Sequence, residues 1–199
     1  MLEVCKISLQ RISKILPPDR ADGDFDYSAE DIDFIRAYYL LAHAEIETYI
    51  EGCLLEIVNN SYLKWKNSGD LDDVLLSLVI YYHPAVVGDG RDRAISTIES
   101  GGKKGVIEFS KKKFERELER NNRIRSKSIE KMLKICGFDL LENSSLLPDL
   151  ESFSKTRGRY AHDAHAKQHE PPKQAKKSVE QIIFQLENLE ALRVRLLSL

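Results

Sequence analysis

The chain has little cysteine: three in 199 residues, at Cys5, Cys53 and Cys136. They are far apart and odd in number, and form neither a CxxC pair nor a zinc-finger spacing. That excludes a disulfide framework and a thiolate zinc site. The expectation is three buried, reduced thiols. No apolar run approaches the roughly 20 residues of a membrane-spanning helix, so no membrane association is expected. The opening Met1-Leu2-Glu3-Val4-Cys5-Lys6 carries an acid and no signal-peptide pattern, so a cytoplasmic location is expected. No dinucleotide-binding, P-loop, EF-hand or Gly-x-Ser-x-Gly motif is present. The nearest approach, Gly101-Gly102-Lys103-Lys104-Gly105, has the wrong spacing for a P-loop and no strand before it. It reads as a flexible basic loop. No internal repeat and no convincing strand occur.

What is present is an ordinary globular composition, 42% hydrophobic and 31% charged. The length suits one well-buried core, so a single domain over 1–199 is expected. Net charge is −2, but the charges are segregated. Eleven acids and two bases lie between Asp19 and Glu56, and ten bases and four acids between Lys103 and Lys127. Seven bases and two acids lie between Lys155 and Lys177. A near-neutral total with such segregation permits a basic face. Solvated helix faces explain the same pattern equally well.

Apolar residues recur at three and four throughout, which predicts helices. The first covers residues 3–16 and is stopped by Pro17-Pro18. The longest periodic segment covers residues 29–67, from Ile32, Ile35 and Tyr38/Tyr39 to Ile57/Val58. Ser28 is its expected N-cap, Asp31 a near miss to a capping box, and Asn67-Ser68-Gly69 its stop. A third helix opens at Asp70 and ends near His83-Pro84. Residues 84–105 are read as irregular and 106–121 as a charged helix. Further helices are expected over Arg123–Ile135, from Pro148 onwards, and over Lys173–Leu199. Residues 29–58 and 175–197 are expected to form the two longest. The fold class is all-α: an antiparallel helical bundle with a basic, irregular middle insertion.

Three of the five histidines fall in one stretch, Leu150–His169, beside two arginines. Four residues separate Arg157 from His162. Arginine holds a phosphate through a fixed fork of donors, and histidine moves a proton near neutral pH. Together they suffice to cleave a phosphodiester. On a regular helix the two side chains diverge by about 140°, whereas Arg159, His162 and His165 share one broad face.

The run Arg157-Gly158-Arg159-Tyr160-Ala161-His162, late in a helical chain, resembles the Arg-x4-His signature of the HEPN superfamily. The early helix with Tyr39-Leu40-Leu41-Ala42-His43-Ala44-Glu45-Ile46-Glu47-Thr48-Tyr49-Ile50-Glu51 resembles the acidic helix of its RiboL-PSP and MAE-type branch. Gly158 stands where that family usually carries Asn, Asp or His. The looser frame Arg159-x5-His165 also fits the family's spacing. The resemblance implies a helical bundle acting as a metal-independent endoribonuclease without cofactor, its site shared between two subunits of a homodimer. It implies His162 as general acid/base, Arg157 on the phosphate, and Glu47, or else Glu45, orienting them. Arg159, His165 and Lys155 are the expected substrate contacts. RNA is the expected partner, since only RNA carries the 2′-hydroxyl. A role in toxin–antitoxin pairs or phage defence, with an antitoxin or other protein partner, is implied by the family alone.

Two other classes compete. His162, His165 and His169 at i, i+3 and i+7, with His43 and Glu47 on another helix, are a candidate metal set. The paired Glu-x-x-His motifs of di-iron bundles are absent, and no metal is expected. A non-catalytic dimeric module binding RNA or protein uses the same residues as contacts only.

Overall fold

The computed structural model describes residues 1–20, 27–83, 91–120, 126–138, 145–162 and 170–198; for residues 91–101, 103 and 126 it describes the backbone alone. Among the described residues there are seven α-helices, one short 3-10 turn and no strand. The helices are α1 (Leu2–Ile12), α2 (Ala29–Ser68), α3 (Asp73–Tyr82), α4 (Arg91–Glu119), α5 (Ser126–Ile135), α6 (Leu146–His162) and α7 (Pro172–Ser198). The bundle is all-helical, as the periodicity predicts. Among the described residues no helix is long and apolar enough to cross a membrane.

At 40 residues, α2 is the axis of the bundle. Its start is a full capping box: Asp31 N–H donates to Ser28 Oγ at 3.1 Å, and Ser28 N–H donates to the Asp31 carboxylate at 3.1 Å. The shorter Asp does what Glu does in the usual motif. Gly69 ends α2 in the left-handed conformation, φ 81°. The apolar stripe of α2, including Ile35, Tyr38, Tyr39, Ile46, Ile50 and Leu54, is fully buried. Leu9 of α1, Leu78 of α3, Phe114 of α4, Leu133 of α5, Phe153 of α6 and Leu186 of α7 join the same cluster. Each such side chain contributes about 1.5–3 kcal/mol by leaving water.

Cross-helix pairs fix the directions. Tyr39 lies against Tyr160, ring centroids 5.2 Å apart, while Ile50 and Leu146 line one cavity. So α6 runs antiparallel to α2. Tyr49 donates to Glu190 at 3.0 Å, and Asn60 donates to the Leu196 carbonyl at 3.2 Å, so α7 runs parallel to α2. Glu190 also accepts from Arg193 at 2.8 Å, and Arg193 reaches Glu56 of α2 at 2.8 Å. Hydrogen bonds from Arg193 hold the Glu190 carboxyl down to about 2, against burial.

The middle of the chain is more helical than its glycines suggest. The Gly101–Gly105 stretch, expected as a loop, lies within α4, where only Gly102 leaves helical geometry, at φ 63° and ψ 170°. Glycine weakens a helix by about 1 kcal/mol per residue, a deficit the flanking Lys and Glu residues and the buried Val106 and Ile107 offset. Gly102 divides α4 into two helical pieces, each shorter than the 27 residues of α7, so among the described residues α2 and α7 are the longest unbroken helices, as expected.

Helix α5 ends in a Schellman motif: Phe138 N–H donates to the Leu133 carbonyl at 2.9 Å and Gly137 N–H to the Lys134 carbonyl at 2.9 Å. Gly137 has φ 80°, and a Cβ there meets Ser77 Oγ at 2.4 Å. Gly137→Ala is therefore expected to destabilise the fold by about 1–2 kcal/mol, read as a lower urea midpoint with unchanged slope.

Candidate functional site

The site is built where α6 crosses the acidic half of α2. Leu150, Phe153 and Tyr160 bury the inner face of α6. The Phe153 ring lies 5.0 Å from Tyr39 and stacks on His43 at 6.2 Å and 13°. His43 is buried, and its Nε2 lies 3.3 Å from Ser154 Oγ. Its Nδ1 is 3.8 Å from Glu47, past hydrogen-bond length, so Glu47 acts on the ring through charge. His43 and Ser154 thus couple the two helices that carry the candidate residues.

Arg157 follows Ser154 by one turn and is half-buried. Its Nε is enclosed and has no hydrogen-bond partner among the described residues. An enclosed donor left unpaired costs roughly 1–3 kcal/mol, and this one sits on the motif arginine. His162 is the last residue of α6 and is exposed. The helix is α-helical through to it, so Arg157 faces inward and His162 outward, about 140° apart. Glu47 lies on the opposite side of the His43–Ser154 contact from Arg157. At 1.5 Å per residue the backbone of Glu47 is about 10 Å from Arg157 and about 18 Å from His162 along the helix pair. Within one protomer, then, Glu47 and His162 are not brought together.

The remaining candidates are on the outer face. Lys155 pairs with Glu151 at 3.3 Å, and Arg159 approaches Glu170 at 3.9 Å while lying over the Tyr160 ring. His165 and His169 lie outside the described residues. Among the described residues the Arg157 frame therefore has a guanidinium nitrogen without a partner, and the Arg159 frame an arginine already facing a carboxylate. A Cβ on Gly158 meets nothing within 4 Å, so packing does not require glycine there.

Glu170 was not evident from the sequence. Its carboxylate accepts from Tyr39 and, at 3.3 Å, from Thr156, and its N–H donates to Tyr160 Oη at 3.0 Å. It ties residue 170 back onto α2 and α6, immediately after the seven residues that carry His165 and His169. The one signal was indirect: two buried tyrosines whose hydroxyls need partners. A cavity of about 300 Å³ opens beside it, lined by Tyr39, Asp149, Ser152, Thr156, Glu170 and Gln174 among others. Among the described residues no lysine or arginine lines it. Among the described residues no three His, Cys, Asp or Glu side chains gather to hold a metal ion.

One turn beyond Glu47 on α2, burial first and the Glu47 charge second push the Glu51 carboxyl up to about 7. The folded chain therefore binds a proton that the unfolded chain has released between about pH 4.5 and 7. This contribution is fully present at low pH and is lost as pH rises through 7. Glu51 is partly exposed, so the loss is on the order of 1 kcal/mol after allowing for solvent screening. Glu51→Gln is expected to match the parent near pH 4.5 and exceed it in stability at pH 8, in parallel urea titrations.

No curated protein and no solved structure matches the chain. The RiboL-PSP-HEPN family model matches residues 5–192, a span that takes in the acidic helix α2, the Arg157–His162 motif of α6 and most of α7. With the helical bundle and the motif in place, the chain belongs to the RiboL-PSP-HEPN family.

Proposed function

We propose that the chain is a metal-independent endoribonuclease whose site is completed by a second copy of itself. The observation that carries this reading is Arg157: a half-buried motif arginine whose enclosed Nε has no partner among the described residues, on the helix next to the acidic face of α2. Its divergence from His162 around α6 favours a site in which one protomer's arginine meets its partner's histidine across a two-fold axis. The neutral His162 imidazole takes the proton of the ribose 2′-hydroxyl. The 2′-oxygen attacks the adjacent phosphorus, and the bond to the 5′-oxygen breaks. The imidazolium returns its proton to that oxygen, leaving a 2′,3′-cyclic phosphate and a 5′-hydroxyl. Arg157 donates to the non-bridging oxygens as charge builds on them. Lys155, Arg159 and His165 contact the flanking strand. Glu47, held away from the His162 of its own protomer, orients the catalytic groups that the second copy brings to the charged face of α2. A cell restrains such an activity, so a protein antitoxin or deployment in phage defence is the setting this reading implies.

Mixing two inactive proteins tests the shared site. Arg157→Ala and His162→Ala chains are combined, exchanged and assayed on RNA in chelator. In a site shared between protomers, half the dimers regain one intact site of two, restoring roughly a quarter of the parent activity. No restoration after verified exchange rejects the shared site. Sedimentation showing only monomer at micromolar concentration does so as well.

A further inference from the structure

We propose that α3, α4 and α5 carry a second RNA contact, an aromatic and basic surface that holds single-stranded RNA outside the cleavage site. The choice of RNA rests on the ribonuclease reading; the surface itself rests on separate residues. Phe109, Lys113 and Arg116 follow at i, i+4 and i+7 on α4, and Arg120, at i+11, continues the line just past its end, its N–H donating to the Arg116 carbonyl at 3.2 Å. They fall within an arc of about 60° and extend over about 16 Å. The Phe109 ring is 46% exposed and that of Tyr81, on α3, is 44% exposed. Each ring has a cation at its face: Lys113 Nζ lies 5.5 Å from the Phe109 centroid, and Lys131 Nζ of α5 lies 5.8 Å from that of Tyr81. Lys131 also pairs with Glu117 at 2.9 Å, one turn beyond Lys113 on α4, so the two ring–cation pairs join into one surface.

Among the described residues the cations of this arc have no carboxylate against them, and Lys112, beside the arc on α4, is likewise exposed and forms no ion pair. Lys104, Lys111, Lys131 and Lys134 are each paired with a glutamate. Among the described residues Lys113, Arg116 and Arg120 form no ion pair, and they are exposed. Exposed rings interleaved with uncompensated cations fit a polymer that alternates flat bases with phosphates. Single-stranded RNA is that polymer, because its bases are free to stack. A duplex keeps its base faces stacked on one another, presents phosphates, 2′-hydroxyls and base edges, and leaves the rings unused.

The test is fluorescence anisotropy of the full chain with a labelled, uncleavable 2′-O-methyl RNA of about 20 nucleotides. Phe109→Ala and Tyr81→Ala are each expected to weaken binding about 5- to 150-fold, the equivalent of roughly 1–3 kcal/mol per stacked base. Phe109→Trp keeps a stacking face and is expected to bind like the parent, which guards against a folding effect. Replacing Lys113, Arg116 and Arg120 together by glutamine should reduce the salt slope of log K by about two. Cleavage of a dinucleotide, too short to reach both surfaces, should not change in any of these variants. Parent-like binding by both ring variants overturns the proposal. Displacement of the RNA by polyglutamate at equal charge also overturns it and assigns the surface to an acidic protein. A parent that cuts neither the dinucleotide nor an unmodified RNA of the probe's own length in chelator, while the ring variants still lose the 2′-O-methyl RNA, sinks the ribonuclease reading and leaves this surface standing.

Discussion

His162→Ala is expected to lose cleavage by about 10²–10⁴-fold in the presence of chelator, the usual contribution of a positioned general acid/base. His162 is exposed at the end of α6, and no hydrogen bond within the described residues depends on it. Its removal should therefore leave stability within about 0.5 kcal/mol of the parent, as for surface changes generally. RNA binding should also persist, because the proposed mechanism gives the phosphates to arginines and lysines and not to His162. The substrate gives the sharper form of the same prediction. A single 2′-deoxyribose at the scissile position removes the internal nucleophile and should abolish cleavage there, leaving neighbouring sites cut. Equal cutting of the deoxy substrate, or activity that requires added metal, rejects the mechanism. A His162→Ala protein that binds and cuts as before assigns the motif to binding alone.

The bundle was legible in the sequence because helices are local. Ser28 and Asp31 are three residues apart, and their reciprocal bonds form within one turn. Gly69 stops α2 where a left-handed residue is needed, as Asn67-Ser68-Gly69 suggests. The middle of the chain was misjudged for the same local reason. Five glycines between positions 88 and 105 look like punctuation; Gly88 and Gly90 lie outside the described residues, and of the three within α4 only Gly102 leaves helical geometry. Burial of Val106 and Ile107 is a tertiary effect that a glycine count does not register. The site was legible only as residue types. His43 meets Ser154 across 111 positions and Tyr39 meets Glu170 across 131, and no spacing rule spans such distances. His43 and Glu47 were visible as an i, i+4 pair, but their coupling to α6 was not. Nor was the axial offset of Glu47 from His162, which follows from the antiparallel register of α2 and α6.

Arg157→Ala is expected to reduce cleavage about 10²–10³-fold, the range seen when one donor to a developing oxyanion is removed. Stability separates this role from a structural one. A structural arginine has its nitrogens satisfied, and truncating it leaves a partner unpaired. Arg157 Nε is enclosed with no partner among the described residues, so truncation removes an unpaired donor. The loss of packing along its aliphatic stem works in the opposite direction, at about 0.8 kcal/mol per buried methylene. The two effects offset, and the midpoint of Arg157→Ala should stay within about 1 kcal/mol of the parent. Arg157→Lys keeps the charge and loses the planar fork, so it should recover only a small part of the activity. Added guanidinium at millimolar concentration should rescue Arg157→Ala more than it rescues Arg157→Lys, because only the alanine variant leaves room for it. Full activity in Arg157→Lys assigns the residue to general charge. A large loss of stability in Arg157→Ala, with RNA cleavage per folded molecule unchanged, makes it a structural residue and moves the site to Arg159 and His165.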